Sequence, residues 1–224
     1  MVITVTQTAS NVKQSYLISS PDGFGFTANA GNMSSYQDIV LSSANDTLEA
    51  SYSIGDCKNN FPFIHIFGVE SISRAFRVTK NGTEIGRIAR SDHGFLKSYY
   101  VINLNNDKKT KIYCYFTSAG SFDYVSIYLD GEQIALIETF LNVDNYKYTN
   151  KLYLLDDHTD LAQILSLFTV YYSSFAFSKR FHMTAGTSYV KKISFSRYSA
   201  MYDKSWRETN FPNENFFGKL SLFD

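Results

Sequence analysis

The side chains best equipped for chemistry in this 224-residue chain are four histidines, two cysteines and 21 acidic residues, and their spacing assembles no recognisable reacting set. His65, His93, His158 and His182 occur singly. None lies four residues from another or in an H-E-x-x-H run, the spacing that brings two imidazoles to one zinc ion, so neither a metal nor a cofactor is expected. No G-x-x-x-x-G-K-[ST], G-x-G-x-x-G or G-x-S-x-G motif occurs. Carboxylate pairs such as Glu132 with Glu138 are what any β-rich chain of this composition supplies. No nucleophile, base and orienting group stand out, so no catalytic residue is assigned. Triads are recognised by geometry and not by position, however. An enzyme whose site assembles from dispersed strand residues therefore stays open as an alternative.

Charge narrows the partners. The 21 basic residues balance the 21 acidic ones, whereas nucleic-acid binding draws most of its affinity from a basic excess, so no nucleic-acid partner is expected. The best cationic grouping is Lys179-Arg180, Lys191-Lys192 and Arg197, interspersed with Phe181, Tyr189, Phe195 and Tyr198. It is the candidate anionic-ligand patch, since each such charge near a membrane surface contributes about 1 kcal/mol. The competing reading is charge complementation of a helix C-terminus plus solvated strand faces. Lys108, Lys109 and Lys111 read as a solvated hairpin turn.

These side chains must be positioned mainly by strands. Aromatic residues make up 17% of the chain, which favours pleated surfaces over helices. β-Branched and aromatic runs separated by turn signals predict strands at Val2–Thr8, Ser15–Ser19, Asp38–Ser42, Thr47–Ser53, Phe61–Phe67, Ser71–Thr79, Thr83–Arg90, Leu96–Asn103, Lys109–Thr117, Asp123–Leu129, Glu132–Thr139 and Lys147–Leu154. In Phe63-Ile64-His65-Ile66-Phe67, His65 takes the polar position. About a dozen strands without intervening helices argue for one antiparallel sheet that curls closed, because an open sheet leaves adhesive edges. Asn81-Gly82 and Asp130-Gly131 are type I′ hairpin dipeptides. Overlaid at these turns, Val78 falls on Ile127, Ile85 on Ile134, Gly86 on Ala135 and Ile88 on Ile137, which suggests an internal repeat.

From Leu161 to Phe177 the pattern changes to seventeen residues without a charge. Asp160 and Gln163 have capping-box spacing, Asp156 and Asp157 suit a helix N-terminus, and Lys179 and Arg180 suit its C-terminus. A helix apolar all round is buried in protein or in lipid. At 161–177 the run is at the lower limit for a membrane span, and it contains Gln163, Ser166, Thr169, Ser173 and Ser174, which would need partners in hydrocarbon. A helix buried in protein over about 160–177 is the expectation, and a membrane-tethered protein anchored by 161–177 is the alternative. Few prolines and no linker composition predict a single domain over 1–224. The N-terminus has neither a basic n-region nor a long apolar stretch, so no secretory signal is read and the cytoplasm is expected. There, Cys57 and Cys114 would be free buried thiols, with a single disulfide as the alternative.

Hairpins such as Phe76-Arg-Val-Thr-Lys-Asn-Gly-Thr-Glu-Ile-Gly-Arg-Ile-Ala-Arg90 and Tyr124-Val-Ser-Ile-Tyr-Leu-Asp-Gly-Glu-Gln-Ile-Ala-Leu-Ile-Glu138, followed by an acidic turn and an apolar helix, resemble the tubby C-terminal-like superfamily. That group includes LURP-one-related proteins and phospholipid scramblases. The resemblance covers about residues 60–180 and implies a closed twelve-stranded antiparallel barrel around a central hydrophobic helix. The calcium-associated segment of scramblases aligns with Asp156-Asp157-His158-Thr159-Asp160, which lacks the alternating acids, so helix capping is the reading there. No stretch matches the basic phosphoinositide motif of tubby proteins, so no ligand residues carry over. The expected function is a non-enzymatic intracellular binding or regulatory module, engaging an anionic phospholipid head group or a protein through its barrel surface.

Overall fold

In the computed structural model of the chain, the described residues are 1–10, 14–31, 38–58, 71–92, 98–119, 122–142, 147–177, 181–184, 188–191 and 203–214. Twelve strands form the wall: β1 (Val2–Ser10), β2 (Gln14–Ser19), β3 (Gly25–Ala30), β4 (Ile39–Ser42), β5 (Thr47–Tyr52), β6 (Ser71–Lys80), β7 (Thr83–Asp92), β8 (Ser98–Leu104), β9 (Lys111–Ala119), β10 (Phe122–Leu129), β11 (Glu132–Asn142) and β12 (Lys147–Leu154). Each pairs antiparallel with its sequence neighbour, and β1 closes on β12 in the register Val2↔Tyr153 to Thr6↔Thr149. Closure removes the unpaired edge that a flat sheet of this size would expose.

Eleven of these strands overlap runs predicted from sequence. The exception is β3, Gly-Phe-Thr-Ala-Asn-Ala, whose small and polar residues are weak strand formers. It is held by its neighbours and alternates strictly, with Phe26, Ala28 and Ala30 inward. The predicted strand Phe61–Phe67, with His65, lies outside the described residues.

The two glycine hairpins adopt the expected turns. Asn81, Gly82, Asp130 and Gly131 all have positive φ and are exposed. Their likeness extends to a shared irregularity. In β6–β7 the register passes from Thr79↔Glu84 to Val78↔Gly86, skipping Ile85. In β10–β11 it passes from Tyr128↔Gln133 to Ile127↔Ala135, skipping the corresponding Ile134. A bulge at the same position of each hairpin re-aims the strand and brings both skipped isoleucines against the interior. Gly86 is required by its neighbour, because a Cβ there would lie 2.2 Å from the Asn103 carbonyl oxygen of β8.

The apolar segment runs into the barrel. After β12 a 3-10 turn, Asp156–Leu161, leads into α1 (Ala162–Tyr171), and a π-helical turn, Tyr172–Phe177, continues it. The capping box expected at Asp160 and Gln163 does not form: the residue before α1 is Leu161, and no side chain caps the helix. The 3-10 turn, tied to the wall by the Leu155 N–H donating to the Ile134 carbonyl (3.0 Å), performs the entry instead. Gln163 is drawn into a plug at the barrel mouth. Its amide donates to Asp46 Oδ2 (3.0 Å), and its Oε1 accepts from Lys80 Nζ (2.8 Å).

Every residue of α1 except Gln163 is buried. The helix packs against β1, β3, β4, β5 and β12, where Ala28, Ala30 and Ala50 leave room for its backbone. On the other side the wall is farther away, and large rings fill the gap. Phe76 meets Tyr171 at 5.0 Å, and Tyr100 meets Phe168 at 5.7 Å, both edge-on. This small-against-large arrangement brings the interior to close packing, with each fully buried Leu, Ile or Phe contributing about 1.5–3 kcal/mol. Among the described residues, no helix is long and apolar enough to cross a membrane. Cys114 is buried and Cys57 half-buried, and both are free thiols.

Leu165 is wholly buried on this helix. Leu165→Ala is expected to lower the unfolding free energy by about 2–5 kcal/mol in a denaturant titration, and Gly86→Ala by about 1–3 kcal/mol. Leu165→Asp or Phe168→Asp should abolish soluble expression, since an unpaired buried charge costs several kcal/mol of a total of about 5–15. A folded, soluble aspartate variant would show that the barrel does not need this helix.

Candidate functional site

Three polar regions stand out against this apolar interior. The first is a layer inside the barrel around the C-terminal half of the helical segment. Tyr16 donates to Gln14 Oε1 (2.6 Å) and contacts Ser174 Oγ (2.9 Å), Gln7 Nε2 donates to Gln14 Oε1 (3.5 Å), and the Tyr148 N–H donates to Gln7 Oε1 (3.2 Å). Across the lumen, Tyr172 donates to Asp123 Oδ2 (3.3 Å), and Arg90 pairs with Asp92 at 3.2 Å. Burial pushes the Tyr16 and Tyr148 hydroxyls up to about 12. They are therefore protonated donors at neutral pH, which suits anchoring the helix to the wall better than proton transfer.

The second region is a cavity of about 820 Å³ at the opposite end, where the chain enters the barrel. In an up-and-down barrel alternate turns share an end. The β8–β9 turn, the β10–β11 turn and the 3-10 entry turn therefore converge, although they are distant in sequence. Lys108, Lys109 and Lys111 form one wall, with Asp107 at the turn's tip. Asp130 of the β10–β11 turn stands beside Lys111, because Leu129 pairs with Ile112; Asp157, His158 and Asp160 of the entry turn line the cavity as well, with Leu129, Leu161 and Tyr113 as its apolar lining. The lysine turn is shaped by Asn106, whose Oδ1 accepts from the Thr110 N–H (3.0 Å) and whose Nδ2 donates to Thr110 Oγ1 (2.9 Å), with Lys109 at φ 49°. A narrower groove of about 300 Å³ on the outer wall, lined by Tyr99, Val101 and Asn103, shares Lys111 and Tyr113 with this cavity.

The third region is an external strap. α2 (Lys204–Asn210), capped by Asp203 Oδ1 accepting from the Ser205 N–H (2.8 Å), lies on the outside of β11, β12 and β1. Trp206 and Phe211 pack on Tyr124, Leu136, Tyr153 and Val2, and the Arg207 guanidinium lies 5.5 Å over the Tyr153 ring. Arg207 also faces Glu138, an outward position of β11 that the strap covers to 1% exposure. Arg207 Nε and Glu138 Oε1 are 3.8 Å apart, an ion-pair distance too long for a hydrogen bond, while Tyr153 donates to Glu138 Oε2 (3.0 Å). Two influences on Glu138 oppose each other. Burial raises its pKa, the charge of Arg207 lowers it, and burial prevails.

The cationic patch expected from sequence is not assembled among the described residues. Lys179, Arg180, Lys192 and Arg197 lie outside them, and Lys191 is placed only as the last residue of β14 (Ser188–Lys191), which pairs with β13 (Phe181–Thr184). The lysines that do converge are Lys108, Lys109 and Lys111, read from sequence as a solvated turn. The signal available was the parity of the turns, which places that loop beside the acidic entry segment. Among the described residues, no group of three or more His, Cys, Asp or Glu side chains is placed to hold a metal ion. Compared with protein-family models, with curated proteins and with solved structures, the chain matches none.

Because burial raises the pKa of Glu138, the docked strap favours the protonated carboxyl. Docking should tighten as pH falls through that elevated value and loosen as pH rises through it. Trp206 is the single tryptophan and reports it directly. Its quenching by acrylamide should decrease on acidification, and Glu138→Gln should flatten the pH dependence. Increased quenching at the lower pH would reverse the assignment.

Proposed function

We propose that this chain is a non-enzymatic binding module that receives its ligand at the outer rim of a filled barrel, in the manner of a small tubby-like domain. The observation that carries the reading is the occupancy of the lumen. The helix and its aromatic neighbours take the space that a ligand-carrying barrel would keep open, and the 820 Å³ cavity lies outside it, at the turns. That volume is within the usual range for small-molecule sites. Its ionisable side chains stand on turns held by a rigid wall, the usual placement for recognition residues.

The polar groups inside the barrel support binding over catalysis. The buried tyrosines are engaged in hydrogen bonds to the wall or the helix, and their hydroxyls are pushed towards the protonated form. The acidic entry turn, expected from sequence to cap the helix, makes no side-chain cap and lines the cavity with Asp157 and Asp160.

Titration of the isotope-labelled protein with a library of small charged compounds, followed by amide NMR, tests this reading. Shifts should concentrate in residues 106–111, 130–131 and 156–161. Shifts concentrated around the barrel interior, or none at the rim with any compound, would contradict a rim-binding module.

A further inference from the structure

The two walls of the rim cavity carry opposite charges that do not neutralise each other. Lys108, Lys109 and Lys111 stand on the β8–β9 side, where Asp107 on the same turn and Asp130 beside Lys111 reduce the formal charge to +1; Asp157 and Asp160 of the entry turn carry −2. Among the described residues, none of these seven side chains takes part in an ion pair, although the same barrel forms ion pairs readily elsewhere, as between Arg87 and Asp56 at 2.7 Å. Each group is placed by its backbone. Lys108 and Lys109 belong to a turn fixed by Asn106 and Thr110, and Asp157 and Asp160 to a turn whose entry is fixed by the Leu155–Ile134 hydrogen bond.

We propose that this cavity binds a small zwitterion, with its anionic group against Lys108, Lys109 and Lys111 and its cationic group against Asp157 and Asp160. This inference rests on the rim-site reading and adds the chemical class of the ligand. An anion carrying no positive charge would meet the lysines but face the carboxylates of Asp157 and Asp160. A cation carrying no negative charge would meet the reverse conflict. A divalent metal would need its oxygen ligands to converge, and those carboxylates do not. A zwitterion satisfies both walls at once. Leu129, Leu161 and Tyr113 between them provide apolar contact for a short hydrocarbon spacer joining its two charges. His158, half-buried, lines the same cavity.

The experiment is an amide NMR titration at low salt with glycine, 4-aminobutyrate and 6-aminohexanoate, whose charge separations differ, against butyrate and butylamine, which carry one charge each. At least one ω-amino acid should shift residues 106–111 and 156–161 together, with a Kd at least about tenfold below those of butyrate and butylamine. Its affinity should pass through an optimum of spacer length. Lys108→Gln/Lys109→Gln/Lys111→Gln and Asp157→Asn/Asp160→Asn should each remove that advantage, while unchanged α1 amide shifts show that the barrel is intact. If butyrate or butylamine binds the rim as tightly as the best zwitterion, the ligand class is wrong and the rim site stands. If both singly charged compounds and all three zwitterions leave the rim amides unmoved, the zwitterion proposal falls. The rim reading is then decided by the wider compound library.

Discussion

A helix without a polar face has to be enclosed on every side, and enclosing α1 sets the terms for the rest of this molecule. A flat sheet covers one face of a helix; only a closed wall covers all of them. The closure of β1 on β12, the alanines on β3 and β5, and the rings of Phe76 and Tyr100 are parts of one packing solution. Of the polar side chains that enter with the segment, Thr169 donates to the Leu165 carbonyl, the buried Ser166 hydroxyl has no partner among the described residues, and others are satisfied at the ends. At one end Gln163 joins Asp46 and Lys80, and at the other Tyr16, Asp123 and their neighbours meet Ser174 and Tyr172. Buried polar groups require partners, so the placement of these strand residues follows from the helix as much as from the sheet.

A filled lumen moves recognition to the exterior. The rim cavity and the strap contact both arise where something outside the barrel meets its wall, but their chemistry differs. At the rim, charges are exposed and held on turns. Under the strap, an outward position of β11 carries a carboxylate beneath Trp206, Arg207 and Phe211, an aromatic and arginine combination typical of recognition anchors. Burial outweighs the arginine's attraction at Glu138 because the two groups meet at 3.8 Å without a hydrogen bond.

Much of the wall was legible in the sequence because strand alternation and the Asn-Gly and Asp-Gly turns act locally. The overlay of the two glycine hairpins set Ile85 against Ile134 but indicated no bulge; the skipped register position that both share is seen only in the structure. β3 was not legible. Its alanines are poor strand formers chosen for what they face, and that neighbour lies more than a hundred residues away. The failed capping box has the same origin, because Gln163 had better partners in Asp46 and Lys80 than the helix's own N-terminus. The rim was legible only in part. Lys108, Lys109 and Lys111 are the solvated turn that the sequence predicts, but only topology brings that turn to the same cavity as Asp157 and Asp160. The strap could not be read at all, since Glu138 becomes buried only by a segment some seventy residues downstream.

If α1 is the element around which the wall closes, its amides cannot open while the barrel remains shut. Native-state hydrogen exchange across α1, β1 and β12 measures this directly. The amides of Ile164 to Tyr171 should exchange only through global unfolding, with the same opening free energy and denaturant dependence as the β1–β12 seam. Exchange of the helix at a distinctly lower free energy, with the seam still protected, would show that the barrel stands as an independent shell and would contradict this account.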